Sequence, residues 1–583
     1  MDSGTFAASL QKALSLHQAG QFDEARAIYE TLLQENPNHP DALNLAGLLE
    51  FENGNYERAI EFIKNATVYS SDNAEFHNNL GAVYASHAKT TLAVESFQVA
   101  IGIDPTFSIA YENLGNALRD LGRFQEAIKQ YQKVISLNPK HEDGHVYLAA
   151  AFNLNGQPDQ AIASLRKALA NGQKFPTALN NLGILLSESG HVVEAIDCFN
   201  QAIKTYPKYA AAYANLATAL WETRSLAEAE QNACRALELK PDLQEAYTVL
   251  GLIYIAQGRV VEASECILEP SLHFRDVNHD QDIFLETFDH INKYKIQHDT
   301  EQLSYLYDQG LIKKESNKIL DDYQALSSSV PKDGAPIRIS ELNSPLSQQF
   351  RQSYNRSNNF YNAPGLKDGA LNKDLDTASI EEAYHSNSPE FSLVDQFLSD
   401  EALNELRRFC LESTIWYDLS AVGDLGASLE DGFCCPLLLQ IATEIRETFP
   451  GIYGEHYFST CWSYRYFAKK SGDGLHGDSG SVSLNIWLTP DVANLEPNGG
   501  GLLFWNKKVP MLKVKDNPKE MTDQIIRDII AEPDSESFSV TYKCNRATLF
   551  NSNIIHKTDE INFKSGYLNR RLNITFVFGK PEY

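Results

Sequence analysis

Alanine recurs every 34 residues along the first half of this chain, at Ala25, Ala59, Ala93, Ala127, Ala161, Ala195, Ala229 and Ala263. Twelve positions after five of them stands a proline: Pro37, Pro105, Pro139, Pro207 and Pro241. Twelve positions before seven of them stands a small residue: Gly47, Gly81, Gly115, Ala149, Gly183, Ala217 or Gly251. A period this long limits the fold severely, because a unit of that size cannot bury a core alone and must stack on its neighbours. The spacing predicts two antiparallel helices per unit. The small residue lets the two helices approach closely, and the proline ends the second one. Eight units span roughly residues 6–275, the last without its proline.

This register resembles the tetratricopeptide repeat. The resemblance implies an all-α superhelix with a concave groove that binds a protein or peptide partner. Asn79, Asn113, Asn181 and Asn215 all fall two positions before the small residue, and Asn78 and Asn180 add a second asparagine beside two of them. The set is similar to the asparagine ladder of O-GlcNAc transferase repeats, which holds extended polypeptide through amide donors and acceptors. The alternative is that these asparagines bond neighbouring helices or water. Leu45, Tyr147 and Val249 interrupt the ladder, which limits a bound stretch to the middle repeats.

Composition narrows the partners. Against 77 Asp and Glu the chain has 50 Lys and Arg, a formal charge of −27. That balance disfavours nucleic acid and anionic membrane, which select basic patches. No apolar run approaches membrane-spanning length. The first residues lack a basic start followed by an apolar stretch, so no signal peptide is expected. Eight cysteines without Cys-x-x-Cys pairs fit a reducing, cytoplasmic setting.

Beyond the repeats the signals weaken. Residues 276–326 keep helical periodicity, with Leu303, Leu306, Leu311 and Ile319 among the apolar positions, and are expected to form a helical cap or connector. Residues 327–390 are rich in Ser, Asn, Asp, Lys and Pro, with scattered aromatics at Phe350, Tyr354, Phe360 and Tyr361. They read as a linker, partly ordered against its neighbours.

From Phe391 the texture changes again. A strand over Phe391–Leu398 leads to a helix from Ser399 to about Glu412, and a second helix runs from about Pro436 to Thr448. Strand-like runs come next at Thr460–Phe467, Ser481–Leu488, Gly501–Trp505, Phe538–Tyr542, Ala547–Phe550 and Leu572–Phe578. Helices succeeded by short strands predict a β-barrel of jelly-roll type with flanking helices. The fold class is therefore multidomain: a helical superhelix, then a double-stranded β-helix.

His-x-Asp occurs three times, at His39–Asp41, His141–Asp143 and His476–Asp478. The first two fall in polar turns of the repeat and serve as background. His476 comes after a strand and a Gly-rich loop, Lys469 to Gly474, and precedes the alternating run Ser481–Leu488. With His556 further on, two imidazoles and one carboxylate can hold iron(II) on one face of an octahedron and leave the opposite face open. Arg571, in a strand-like run, can grip a carboxylate through a bidentate pair.

In this order, with the turn Gly499–Gly501 leading into a strand, residues 391–583 resemble a 2-oxoglutarate- and Fe(II)-dependent dioxygenase domain of the prolyl-hydroxylase-like group. The resemblance implies His476, Asp478 and His556 as Fe(II) ligands, with 2-oxoglutarate and O2 as cosubstrates. It makes Arg571 the partner of the distal carboxylate, with Asn573 beside it and Arg570 as the fallback. Tyr466, Ser483 and Asn485 either contact the cosubstrate or simply line the barrel. The implied chemistry is hydroxylation of a C–H bond, with no catalytic residue beyond the metal centre. The excess length between Asp478 and His556 falls at Asn506–Glu536, expected to be a partly helical lid. Two other readings stand beside protein hydroxylation: oxidation of a small molecule or glycan, with the repeats recruiting partners, and a non-catalytic repeat scaffold.

Overall fold

A computed structural model describes residues 2–170, 175–276, 290–312, 317–339, 350, 354–355, 359–419, 424–467, 469–470, 474–510 and 519–579. Its contacts divide the chain into two compact units, Met1–Asn215 and Leu216–Tyr583. The division falls inside the repeat helix Ala210–Glu222, well before the boundary near residue 275 that composition suggests.

Sixteen helices run from Ser3–Gln18 to Val260–Asp276; within each unit successive helices pair as helical hairpins, and the periodic residues explain the pairing. A Cβ added to Gly81 would lie 2.5 Å from the Phe97 ring, one on Gly115 2.6 Å from Tyr131, and one on Gly183 2.5 Å from Phe199. In each case an aromatic ring of the second helix fills the space where the first helix carries no side chain. The period-setting alanines, Ala25 to Ala263, are fully buried. Each repeat proline stands two residues past the end of a second helix, as at Glu35–Pro37 and Leu137–Pro139. The N-terminal array is an all-α tetratricopeptide superhelix.

The first helix of each hairpin ends in a left-handed residue. Glycine supplies it at Gly20, Gly54, Gly122, Gly156, Gly190 and Gly258, but repeats three and seven use Ala88 (φ 54°) and Arg224 (φ 64°). A side chain there costs about 1 kcal/mol relative to glycine. Arg224 spends its side chain on a contact: its Nη2 donates to the Glu455 carbonyl at 2.7 Å, and its guanidinium stacks over Tyr457. Trp221 and Arg446 also meet the Tyr457 ring.

In the second unit the last repeat shares its core with the C-terminal domain. Ile255, Ala263, Ile267 and Leu268 join one buried cluster with Leu437, Leu438 and Ile441 of the helix Pro436–Thr448. In the segment 327–390, expected to be a linker partly ordered against its neighbours, the described residues are placed by contacts with the elements on either side. Strands β1 (His290–Ile291) and β2 (Ile337–Arg338) pair, and Phe350 and Tyr354 are buried with Ile296, Leu303 and Tyr323 in the connector's own small core. Residues 359–390 dock on the C-terminal domain through Phe360 against Phe409 and through Gln440 and Glu444, which accept from the backbone N–H groups of Leu366 and Ala370. A polar composition allows this docking because it is done by backbone and a few aromatics.

A buried charge network ties the connector to the sheet. Asp299 accepts from Lys295 Nζ at 2.6 Å, Tyr323 Oη at 2.7 Å and His298 Nδ1 at 3.1 Å. His298 in turn faces Arg465 at 3.5 Å, and burial drives its imidazole down to about 3, so it is neutral.

Twelve further strands build the C-terminal domain: β3 (Phe391–Val394), β4 (Asp418–Leu419), β5 (Asp424–Ser428), β6 (Phe458–Tyr466), β7 (Lys469–Lys470), β8 (Val482–Trp487), β9 (Leu502–Lys508), β10 (Ser537–Val540), β11 (Ala547–Asn551), β12 (Ile554–Thr558), β13 (Ile561–Asn562) and β14 (Leu572–Phe578). Seven form one antiparallel sheet in the order β3-β11-β8-β14-β6-β5-β4, and three form a smaller one, β10-β9-β12. β7 pairs with β13. Strands β5 and β12 show little alternation in sequence because nearly every residue in them is buried.

The large sheet has two unlike faces. Leu484, Ile486, Leu549, Ile574 and Phe576 pack against the helices Asp400–Glu412 and Pro436–Thr448. The opposite face alternates with them and carries Tyr464, Tyr466, Ser483, Asn485, Trp487, Thr548, Asn573 and Thr575. The small sheet packs here, with Phe504 of β9 against Phe550 of β11. Burial of each such ring contributes about 2–3 kcal/mol. The polar side chains enclosed with those rings form a cup.

Candidate metal centre and anion cup

His476, Asp478 and His556 come together at the rim of this cup, with one ligand atom from each within 4.8 Å of the others. Asp478 Oδ1 lies 3.7 Å from His556 Nε2 and 4.0 Å from His476 Nε2. The two imidazole centroids are 4.5 Å apart. A reciprocal backbone pair joins the two histidines: His476 N donates to the His556 carbonyl at 3.0 Å, and His556 N returns the bond at 2.9 Å. Asp478 N donates to the Ser552 carbonyl at 2.7 Å.

The donor set fits a divalent metal. Each histidine donates Nδ1–H to a backbone carbonyl, His476 to Gly474 at 2.8 Å and His556 to Ile554 at 2.9 Å. That fixes the tautomer and leaves both Nε2 lone pairs directed at the carboxylate. Asp478 is almost fully buried, and its Oδ2 has no hydrogen-bond partner among the described residues. A buried carboxylate oxygen without a donor is costly unless a cation completes it. Burial also holds the His556 imidazole down to about 4, hence neutral and able to ligate. His476 is half exposed, so the rim opens to solvent beside it.

The other two His-x-Asp pairs are helix caps. His39 Nδ1 accepts from Ala42 N, and His141 Nδ1 from Gly144 N.

Arg571 occupies the cup and is fully buried. Its Nε donates to the Gly500 carbonyl at 2.6 Å and its Nη2 to the Gly501 carbonyl at 3.2 Å. Nη1 reaches Asn573 Oδ1 at 3.5 Å, and the guanidinium lies over the Tyr466 ring at 4.6 Å. Every one of these partners is neutral, so among the described residues the cation is buried without an anion. The turn that holds it has little freedom, since a Cβ on Gly501 would sit 1.8 Å from the Val540 carbonyl oxygen. Arg570 points elsewhere, paired with Glu301 at 2.5 Å and stacked on Phe467.

Tyr466 Oη meets Thr558 Oγ1 at 3.2 Å. Ser483 bonds Ser552 at 2.9 Å, and Asn485 Nδ2 donates to Thr575 Oγ1 at 2.7 Å, leaving Asn485 Oδ1 without a partner among the described residues. Trp487 was not singled out by sequence, yet its fully buried indole N–H also lacks an acceptor there. The Arg571 guanidinium lies 5.9 Å from its ring. The available signal was its place on β8, two residues after Asn485 and so on the same face.

In the repeats, the asparagines largely bond one another. Asn79 donates to Asn44 at 3.1 Å, Asn113 to Asn78 at 3.0 Å and Asn215 to Asn180 at 2.9 Å. Asn181 is the exception, because Val146 occupies the position where its partner would stand.

Family models of the tetratricopeptide repeat match residues 10–67, 108–141 and 180–244. No curated protein matches the chain. Among solved structures, MamA is 27% identical over 27% of this chain and 92% of its own, with a TM-score of 0.26. YrrB, described as a TPR protein with an unusual peptide-binding site, is 20% identical over 32% of this chain and 95% of its own, with a TM-score of 0.26. Yeast Tom70 is 20% identical over 43% of this chain and 54% of its own, with a TM-score of 0.35. No helix among the described residues is long and apolar enough to cross a membrane. The N-terminal half of the chain is thus a tetratricopeptide repeat array.

Proposed function

We propose that the C-terminal domain is a double-stranded β-helix oxygenase that uses Fe(II), 2-oxoglutarate and O2 to hydroxylate a C–H bond. Its substrate is a protein or peptide brought to it by the repeat array. The observation that carries this reading is a pair of incomplete charges in one cup. Among the described residues Asp478 Oδ2 lacks a cation beside two oriented Nε2 atoms, and Arg571 lacks an anion. A metal ion and a dicarboxylate would complete both. The antiparallel seven- and three-stranded sheets facing one another also suit that fold.

Bound at the triad, Fe(II) would couple oxidative decarboxylation of 2-oxoglutarate by O2 to hydroxylation of the substrate. The chain's own residues do the rest. Arg571 presents donors for the distal carboxylate, and the Gly500 and Gly501 carbonyls keep its plane fixed. Trp487 adds a neutral donor, and Tyr466 covers the guanidinium face. Phe504 and Phe550 pack against the His556 imidazole and keep water from that side. The half-exposed rim beside His476 suits a large substrate laid across the mouth.

Anaerobic addition of Fe(II) and 2-oxoglutarate to the full chain tests the reading. The weak visible charge-transfer band of the chelate should appear, and should be lost in His556→Ala. Its absence from the folded wild-type protein would remove the assignment.

A further inference from the structure

The strands that carry the two ligand histidines are locally weak. His476 belongs to no strand and pairs with His556 only through an isolated bridge. The register of β12 against β9 shifts just before His556: Ile554 pairs with Lys508 and His556 with Phe504, so the extra residues of the irregularity stand on β9. Within β12 the ordinary alternation holds: Ile554 and His556 face the cup, and Ile555 faces outward. The ladder is therefore irregular on the N-terminal side of His556, and His476 is joined to it by a single bridge.

Behind that backbone lies the helix Lys519–Ile530, from the insertion expected to be a lid. Ile526 is buried in a cluster with Val509 and Ile555, against which Leu475, Trp505, Ile529 and Ile530 pack. Leu475 and Ile555 are the residues immediately before His476 and His556. Val509 reaches the glycine inside the motif, since a Cβ on Gly477 would lie 3.0 Å from its Cγ2. The end of the insertion is anchored as well. Lys507 pairs with Glu532 and Asp534, both at 2.7 Å, and Asn506 exchanges two hydrogen bonds with Glu536.

We propose that Ile526 is a positioning residue for the metal centre, holding Leu475 and Ile555 so that both Nε2 atoms stay trained on Asp478. The inference rests on the proposed metal site. The helix acts as a buttress on the outer face of the small sheet rather than as a cover over the cup.

The test is Co(II) affinity by equilibrium dialysis on the full chain, compared among wild type, Ile526→Ala, Ile526→Val and Ile296→Ala. Ile296 is a buried isoleucine in the connector core, remote from the triad in the packing, and controls for general loss of stability. Ile526→Ala should weaken Co(II) binding about tenfold, within the range that loss of a supporting contact costs. Ile526→Val should fall between it and wild type, and Ile296→Ala should bind as wild type does. Should Ile526→Ala fail to fold, an affinity lowered in Ile526→Val alone supports the proposal. Wild-type affinity in the folded Ile526 variants would overturn it while leaving the metal reading intact. Binding that is absent from wild type, or unchanged in His556→Ala, would overturn both.

Discussion

Asp478 and His556 stand at opposite ends of a long stretch of sequence, yet Asp478 Oδ1 lies 3.7 Å from His556 Nε2, with Oδ2 left without a donor among the described residues. Four strands, β8 to β11, and an insertion intervene, and the closure depends on the bridge between His476 and His556. Asp478→Ala should lose more metal affinity than the ~10–100-fold that an outer contact costs, and should form no succinate from 2-oxoglutarate. Undiminished Co(II) binding in that variant would remove Asp478 from the ligand set.

Among the described residues the cup holds a cation without an anion, Arg571, and a donor without an acceptor, Trp487 Nε1, which predicts a split between metal and cosubstrate binding. Trp487→Phe keeps the ring and deletes the N–H, and Arg571→Lys keeps the charge and deletes the fork. A hydrogen bond to a charged group is worth about 1.5–3 kcal/mol, so each variant should bind 2-oxoglutarate about 10–100-fold more weakly. Co(II) affinity should not move. Calorimetric titration of the Co(II) form measures both, and a loss confined to the metal would contradict the assignment.

Acid should destabilise the second unit through histidines buried in neutral form. His298 is held down to about 3, against an ordinary value of 6.5, because burial penalises its cation. The unfolded chain takes up that proton below pH 6.5 and the native state does not. Stability from this group is therefore complete above pH 6.5 and falls by about 1.4 kcal/mol per pH unit as pH drops from 6.5 towards 3. In His298→Gln the slope of unfolding free energy against pH should flatten by that amount. Identical slopes from chemical denaturation at pH 7, 6 and 5 would disprove the linkage.

Arg224 makes a prediction of opposite sign for the turn and for the contact. Arg224→Gly restores the residue that most repeats use and relieves about 1 kcal/mol of backbone cost. It also deletes the bond to the Glu455 carbonyl and the stacking on Tyr457. Amide exchange at residues 455–457 should quicken although the turn itself is eased. Unchanged exchange there would show that Trp221 and Arg446 suffice to hold Tyr457.

The period of 34 determined the repeat array by itself, because a residue type recurring at that spacing leaves one way to bury the alanines and seat rings against glycines. The order His476, Asp478, His556, Arg571 was likewise readable, since each type is bound to its chemistry. Alternation separated the polar cup face of β8 from its apolar face and so placed Asn485, although it gave no reason to prefer Trp487. Only tertiary structure decided the rest. It paired Arg570 with Glu301 and set Arg571 among neutral partners, and it turned most ladder asparagines toward other asparagines. It gave Phe350 and Tyr354 a small core to pack in, and set Ile526 of the insertion's helix against Ile555, beside His556. These outcomes depend on which groups meet across long separations, and local sequence carries propensity and pattern but not partners.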